Sequence, residues 1–305
     1  MTLIDPRFSG AFTAIVTPFT ADGSALDFVA LKAQIEYQAR GERGTGGVRG
    51  IVVAGTTGES PTLSESEYQQ LIENAVGFAK PWKLMVVAGT GSNSTAHAVH
   101  LQKVAAKAGA DAALSVNPYY NKPTQEGMYR HFVMQADATA LPVILYNIPG
   151  RSGVALTPDT VERLAGHEKI KALKEATGST DSCGEIAARC PGLAVLSGDD
   201  TMTLPFASVG AVGVVSVVSN LLPGRVQGLC DAFNGGDYTG ARQIHRDLLK
   251  ICKVMFVETN PIPVKAAMQL GGRDTGVLRL PMTAATPQTV EALRKVLAGY
   301  ELLKA

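Results

Sequence analysis

A lysine within a short apolar segment is the first candidate for chemistry in this chain. The segment reads IKALKEAT and spans 170–177, so the ammonium of Lys171 or Lys174 would lie in what otherwise resembles a buried strand. Burial in an apolar interior lowers the pKa of a lysine, and the neutral amine is a nucleophile. Strand alternation favours Lys174, because it places this residue on one face with the small side chains of Ala172 and Ala176.

Other predicted strand ends supply hydroxyl groups and few carboxylates. An amine that attacks a ketone forms a Schiff base, which acts as an electron sink for carbanion chemistry. Tyr146, Tyr120 and Thr56 lie at such ends and could move the protons that this chemistry requires. The residues alone leave another interpretation open, in which Lys174 extends into solvent or pairs with Glu175.

The elements that must position these groups are eight short apolar runs, separated by longer segments with helical periodicity. The runs are 11–19, 48–55, 83–91, 111–120, 142–149, 170–177, 193–200 and 211–220. Near-continuous apolar character is typical of parallel strands buried on both faces, and eight βα units predict a TIM (β/α)8 barrel. The alternative is a doubly wound sheet, which would carry a Gly-rich phosphate turn after its first strand.

The barrel is expected to span 1–221 and to carry the active site, with a C-terminal helical part over 222–305. Breaks at 235–236 and 260–263 divide that part into about three helices.

Helix starts are also marked in the sequence. Apolar residues near 3.6 spacing predict helices within 63–80 and 94–109. Thr157 precedes a proline, which is typical of a helix N-cap, and Thr62 with Glu65 fits a capping box.

Composition and charge argue against several classes of function. The chain of 305 residues has a net charge of +1, with no basic run that would indicate nucleic-acid binding. No apolar run approaches the roughly 20 residues that cross a bilayer, and no secretory signal is visible, so a cytoplasmic protein is expected. The four cysteines lack metal-ligand spacing and are expected to be free thiols.

Two further patterns have weak functional interpretations. AGTGSNS at 88–94 resembles a dinucleotide-binding turn, but Ser94 stands at the third glycine position. His97 and His100 lie on one predicted helix without a third ligand, so no metal site is expected.

Five ordered motifs resemble the dihydrodipicolinate synthase and N-acetylneuraminate lyase superfamily of Schiff-base aldolases. They are GTTGES at 55–60, NPYYNKP at 117–123, YNIPGRSG at 146–153, KEATG at 174–178 and SGDD at 197–200. The resemblance runs from about Gly10 to the PMT at 281–283.

The resemblance implies a role for each matching residue. Lys174 would form a Schiff base with pyruvate, Tyr146 would donate and accept protons, and Thr56 would belong to the proton relay. Tyr120 would complete the relay from a neighbouring subunit. Four residues would bind substrate: Thr57 for the pyruvate carboxylate, the backbone of Val215, Gly198, and Arg151 for the carboxylate of the aldehyde. A guanidinium suits that last task because it pairs with a carboxylate through two hydrogen bonds.

The implied reaction condenses pyruvate with L-aspartate 4-semialdehyde to 4-hydroxy-tetrahydrodipicolinate, in lysine and diaminopimelate biosynthesis. It needs no cofactor or metal beyond the covalent Schiff base, and the family is commonly a homotetramer built as a dimer of dimers. Two alternatives remain: a pyruvate aldolase acting on a sugar acid, and a small-molecule sensor on an inactive barrel. Arg151 and the double threonine at 56–57 favour the synthase over the sugar-acid aldolase.

The sequence departs from the family at two places. The stretch 41–50, GERGTGGVRG, is longer and more basic than usual and is expected to be a surface loop. The family's inhibitory lysine site is partly kept in Ser60, Asn93 and Tyr119, but His97 replaces the expected acidic residue, and Glu65 and Tyr68 replace frequent histidines. Weak or no inhibition by lysine is therefore predicted.

Overall fold

The eight apolar runs form eight parallel strands that close into one barrel. In the computed structural model, which describes residues 4–304, neighbouring strands pair in chain order and the eighth pairs with the first. The strands are β1 (Gly10–Ala14), β2 (Gly50–Val53), β3 (Met85–Gly89), β4 (Ala112–Val116), β5 (Val143–Asn147), β6 (Ile170–Glu175), β7 (Ala194–Ser197) and β8 (Gly213–Ser216). The predicted TIM barrel is confirmed, and the doubly wound sheet is excluded.

Twelve α-helices accompany the strands. They are α1 (Phe28–Arg40), α2 (Glu65–Ala79), α3 (Thr95–Lys107), α4 (Gln125–Ala138), α5 (Pro149–Ser152), α6 (Pro158–Ala165), α7 (Thr180–Arg189), α8 (Thr203–Ala207), α9 (Pro223–Asn234), α10 (Tyr238–Val254), α11 (Ile262–Leu270) and α12 (Pro287–Ala298), counted among the described residues. Two large apolar clusters fill the space around the strands and beneath the helices, and a third fills the barrel interior.

The pairing of β5 with β6 brings the expected catalytic residues together. Tyr146 pairs directly with Lys174, and both belong to the ends of their strands. The register shifts near the start of β6, where Ile170 and Ala172 pair with consecutive residues of β5, so Lys171 has no partner in this pairing. From Ala172 onward the alternation is regular, which directs Lys174 inward as predicted.

One predicted helix cap is observed and another is wrong. Thr157 caps α6, and its side chain accepts a hydrogen bond from a backbone amide in the first turn. The capping box does not involve Thr62, which ends a short 3-10 helix and donates its hydroxyl to the carbonyl of Glu59. Instead Ser64 and Glu67 form the box at the start of α2, because each side chain there satisfies the other's backbone amide.

The C-terminal part contains four helices, α9 to α12, rather than about three. A break over 271–286, which the sequence pattern did not reveal, separates α11 from α12. α9 contacts both β1 and β8, so it occupies the position of the helix that follows the eighth strand of a barrel. The division of the chain between 221 and 222 stays a prediction.

The loop at 41–50 is anchored by one buried side chain. Residues 43–46 are exposed, but Glu42 is 8% exposed and its carboxylate accepts hydrogen bonds from the backbone amides of Gly224 and Arg225. Those amides lie in the first turn of α9, where an anion is favoured by the free N–H groups and the helix dipole. The loop is therefore more than a surface insertion, since Glu42 caps a barrel helix.

Candidate active site

Lys174 is the fifth of the six residues of β6 and so lies at the carboxyl-terminal end of the barrel. Its side chain is 6% exposed, and its Nζ lies 3.9 Å from the centre of the Tyr146 ring. Burial lowers the pKa of Lys174 to about 7, against the opposing influence of Asp200; Arg151 lowers this pKa further. A large share of Lys174 is therefore the neutral amine at neutral pH.

Asp200 is the buried carboxylate whose charge acts on Lys174, and the sequence reasoning missed it. Its carboxylate accepts hydrogen bonds from the amides of Val217 and Val218 and from the hydroxyl of Ser216. It thereby joins the segment after β7 to the end of β8. Burial raises the pKa of Asp200, and these three hydrogen bonds oppose that rise. The only signal in the sequence was the SGDD motif at 197–200, which contains Asp200 but does not indicate its contact with β8.

Tyr146, Thr56 and Arg151 line one cavity of about 470 Å³ beside Lys174. Burial raises the pKa of Tyr146 to about 12, with Arg151 and the Thr56 hydroxyl lowering it by smaller amounts. The phenol therefore stays protonated at neutral pH and is able to donate a proton.

Thr57 and Arg151 share a neighbour from the C-terminal part of the chain. Thr57 is 3% exposed, and its Oγ1 accepts a hydrogen bond of 3.0 Å from the side-chain amide of Asn260. Arg151, at the surface of α5, donates to the backbone carbonyl of the same residue at 3.3 Å. Asn260 was seen in the sequence only as part of a helix break.

Gly198 and Val215 complete the surroundings of the lysine. A Cβ at Gly198 would lie 2.8 Å from the Cβ of Ala176 and 3.1 Å from the Cε of Lys174, so the absent side chain makes room for the lysine. Val215 is 1% exposed and belongs to the cluster inside the barrel, together with Tyr146.

Within one chain, the structure does not place Tyr120 beside the other predicted site residues. Its side chain is 90% exposed, its φ is 73°, and it is not among the residues that line the cavity. The adjacent Tyr119 does line the cavity. The relay role expected for Tyr120 would therefore require a second copy of the chain.

The same cavity extends to the residues of the partly kept lysine site. Ser60, Glu65, Tyr68, His97 and Tyr119 all line it. The carboxylate of Glu65 pairs with the exposed His100, and the buried hydroxyl of Tyr68 has no hydrogen-bond partner among the described residues.

Packing accounts for the two glycines of the 88–94 stretch. A Cβ at Gly89 would lie 2.1 Å from the carbonyl oxygen of Ala54, and one at Gly91 would lie 2.4 Å from the amide of Val116.

Within residues 4–304, no group of three or more His, Cys, Asp or Glu side chains could hold a metal ion. None of the helices described there is both long and apolar enough to span a bilayer. The four cysteines are free, as expected, and all are buried.

Comparisons with known proteins agree with this geometry. The model of the dihydrodipicolinate synthetase family matches residues 7–299. The 4-hydroxy-tetrahydrodipicolinate synthase of Geobacter sulfurreducens is 46% identical over 297 residues, covering 97% of this chain and 100% of the relative. The crystal structure of dihydrodipicolinate synthase from Aquifex aeolicus has a TM-score of 0.93 at 45% identity, covering 97% of this chain and 100% of its own. Dihydrodipicolinate synthase from Cyanidioschyzon merolae with lysine bound has a TM-score of 0.93 at 40% identity, covering 97% of this chain and 99% of its own.

Proposed function

Because the chain belongs to the dihydrodipicolinate synthetase family, we propose that its reaction is carried by Lys174 and the residues around it. The enzyme is a lyase of lysine biosynthesis that condenses pyruvate with L-aspartate 4-semialdehyde to 4-hydroxy-tetrahydrodipicolinate. The observation that supports the assignment to residues is the buried amine of Lys174, with its pKa lowered to about 7 and the Tyr146 ring 3.9 Å away.

The neutral Nζ of Lys174 attacks the C2 carbonyl of pyruvate, and loss of water gives a protonated Schiff base. A proton then leaves C3, and the resulting enamine attacks the aldehyde carbon of the semialdehyde. The amine of the adduct finally attacks the imine carbon and displaces Lys174, which closes the ring and regenerates the free lysine. Tyr146 donates and accepts the protons of these steps, and Thr56 with Tyr120 connects it to solvent.

The substrates are held by their carboxylates. Thr57, through its hydroxyl and main chain, takes the pyruvate carboxylate, while Gly198 and the backbone of Val215 border the pyruvate. Arg151 takes the carboxylate of the semialdehyde, since its guanidinium is exposed at the mouth of the cavity and offers two parallel donors.

The relay implies an assembly. Tyr120 is exposed and does not line the cavity of the chain to which it belongs. It therefore acts in the site of a neighbouring subunit. The proposed assembly is a homotetramer built as a dimer of dimers. The cytoplasm is the proposed location. No separate cofactor takes part in the proposed steps, because pyruvate itself becomes the electron sink once it is joined to Lys174.

Borohydride trapping tests the assignment. Borohydride added with pyruvate reduces the Schiff base, so the intact mass should rise by one three-carbon adduct per chain, located at Lys174 by peptide mapping. Lys174→Ala should prevent trapping, whereas the matched control Lys171→Ala should leave it unchanged. Absence of the adduct in the unmodified enzyme would refute the mechanism.

Turnover then distinguishes the synthase from the sugar-acid aldolase that the sequence left open. With pyruvate present, the enzyme should consume aspartate semialdehyde and leave sialic and ketodeoxy sugar acids uncleaved. Arg151→Ala should chiefly raise KM for the semialdehyde, and pyruvate with borohydride should still label Lys174 completely, although more slowly near neutral pH.

A further inference from the structure

Asn260 lies where the C-terminal part of the chain meets the loop after β2. It precedes α11 and is 5% exposed, although it is a polar residue in a connecting segment. α11 is held against the barrel by the ammonium of Lys265, which donates to the carbonyl of Thr17 and to the carboxylate of Glu59. Asn260 is therefore presented to the active-site loop from a firmly attached element.

Its two polar contacts reach both proposed carboxylate-binding residues. The side-chain Nδ2 donates to Oγ1 of Thr57 at 3.0 Å, and the backbone carbonyl accepts from Arg151 at 3.3 Å. No other residue in the described part of the chain is hydrogen-bonded to both Thr57 and Arg151.

The direction of the bond to Thr57 has a chemical consequence. A threonine hydroxyl carries one hydrogen and two lone pairs, so an oxygen that accepts from an amide keeps its own hydrogen for another acceptor. Within residues 4–304, the hydroxyl of Thr57 donates to no acceptor. A hydrogen bond from this hydroxyl to a carboxylate is charge-assisted and stronger than one between neutral groups.

The carbonyl end of the Asn260 side chain adds no second hydrogen bond. Its Oδ1 is buried without a hydrogen-bond partner in the described region, so the bond to Thr57 is the one that its side chain makes. Buried amides normally satisfy both ends, and an unsatisfied buried acceptor is destabilising. The one hydrogen bond of the Asn260 side chain is therefore made to a proposed substrate-binding residue.

We propose that Asn260 is a positioning residue that acts through Thr57: its amide occupies the acceptor side of the Thr57 hydroxyl and directs the hydrogen toward the carboxylate of pyruvate. Its backbone carbonyl holds Arg151 in place independently of the side chain. This inference rests on the proposed function, in which Thr57 binds pyruvate and Arg151 binds the semialdehyde.

The test reverses the direction of the hydrogen bond between residue 260 and Thr57 while the side chain at 260 keeps nearly the same shape. The carboxylate of Asn260→Asp can only accept, so it draws the Thr57 hydrogen to itself and places a negative charge beside the pyruvate carboxylate. KM for pyruvate should rise about tenfold to a hundredfold, the range expected for losing a hydrogen bond to a charged group. Asn260→Ala should raise it several-fold, because the hydroxyl then rotates freely.

Two comparisons separate positioning from general damage. In Asn260→Ala, KM for the semialdehyde should stay within about twofold of the original, because the backbone carbonyl still holds Arg151. In a Thr57→Val background, Asn260→Ala should cause no further rise in KM for pyruvate, since the hydroxyl through which it acts is gone. If the Asn260→Asp variant fails to fold, this comparison of Asn260→Ala with and without Thr57→Val still tests whether Asn260 acts through Thr57.

Three results would overturn the proposal. They are an unchanged pyruvate KM in Asn260→Asp, equal rises in both KM values in Asn260→Ala, and additive effects of Asn260→Ala and Thr57→Val. Borohydride trapping at saturating pyruvate should still label Lys174 in every Asn260 variant. Loss of labelling in the unmodified enzyme would instead refute the proposed function.

Discussion

The pKa of Lys174 can be tested by the pH dependence of Schiff-base formation. At pH 7, a pKa of about 7 leaves roughly half of the lysine neutral, whereas the ordinary value of 10.5 would leave about 3 in 10,000. Burial thus increases the nucleophilic fraction by more than about a thousandfold. The rate of trapping should rise with pH and level off above an apparent pKa near 7. The pKa of Tyr146, raised to about 12, lies outside that window.

The assay mixes enzyme with pyruvate alone, quenches with borohydride at fixed times, and reads the adduct by intact mass from about pH 5.5 to 9.5. Variants of Arg151 supply the control, because its positive charge lowers the pKa of Lys174. Arg151→Ala should move the midpoint upward, while Arg151→Lys, which keeps the charge, should leave it near that of the original. A midpoint above pH 9 in the original enzyme would refute the argument that burial activates the amine.

Three further predictions concern the surroundings of the site. Gly198→Ala should lower kcat at least tenfold with modest loss of stability, because the new Cβ displaces the Lys174 side chain; unchanged steady-state kcat would contradict the packing argument. Lys265→Ala should lower the free energy of unfolding by about 3–5 kcal/mol in urea titrations, because it leaves the carboxylate of Glu59 buried and unpaired; a loss below 1 kcal/mol would contradict it. L-lysine should inhibit weakly or not at all, because His97 stands where the family carries an acidic residue, and inhibition at sub-millimolar lysine in a steady-state assay would disprove this.

Periodicity predicted the barrel and the inward direction of Lys174 because both depend on local alternation. Each apolar run matches one strand, with β1 beginning one residue before its run, and the face of Lys174 follows from its spacing to Ala172. The capping box lies two residues later than predicted, since the side chains of Ser64 and Glu67, and not that of Thr62, bind the free backbone amides at the start of α2. Such competition between nearby caps is decided by backbone geometry, which the residue types alone do not contain.

The contacts that shape the site join residues far apart in the chain, and local patterns could not reveal them. Asn260 meets Thr57 across 203 residues, and Lys265 meets Glu59 across 206. Periodicity indicates which face of an element is buried, but it does not name the partner on the other side. A polar residue in a helix break and a lysine in an apolar helix were therefore unremarkable until the fold placed them against the loop after β2.

The charges around Lys174 oppose one another, and this balance suits both the first and the last step proposed for its amine. Burial and Arg151 lower its pKa, while Asp200 raises it. An amine with a much lower pKa would remain neutral but would be a poor proton acceptor when the product displaces it, and one with an ordinary pKa would seldom attack pyruvate. A pKa close to the working pH serves both steps, as general acid–base catalysis requires. Asp200 therefore acts on the pKa of Lys174 through its charge, while its carboxylate is held by Ser216 and the amides that follow β8.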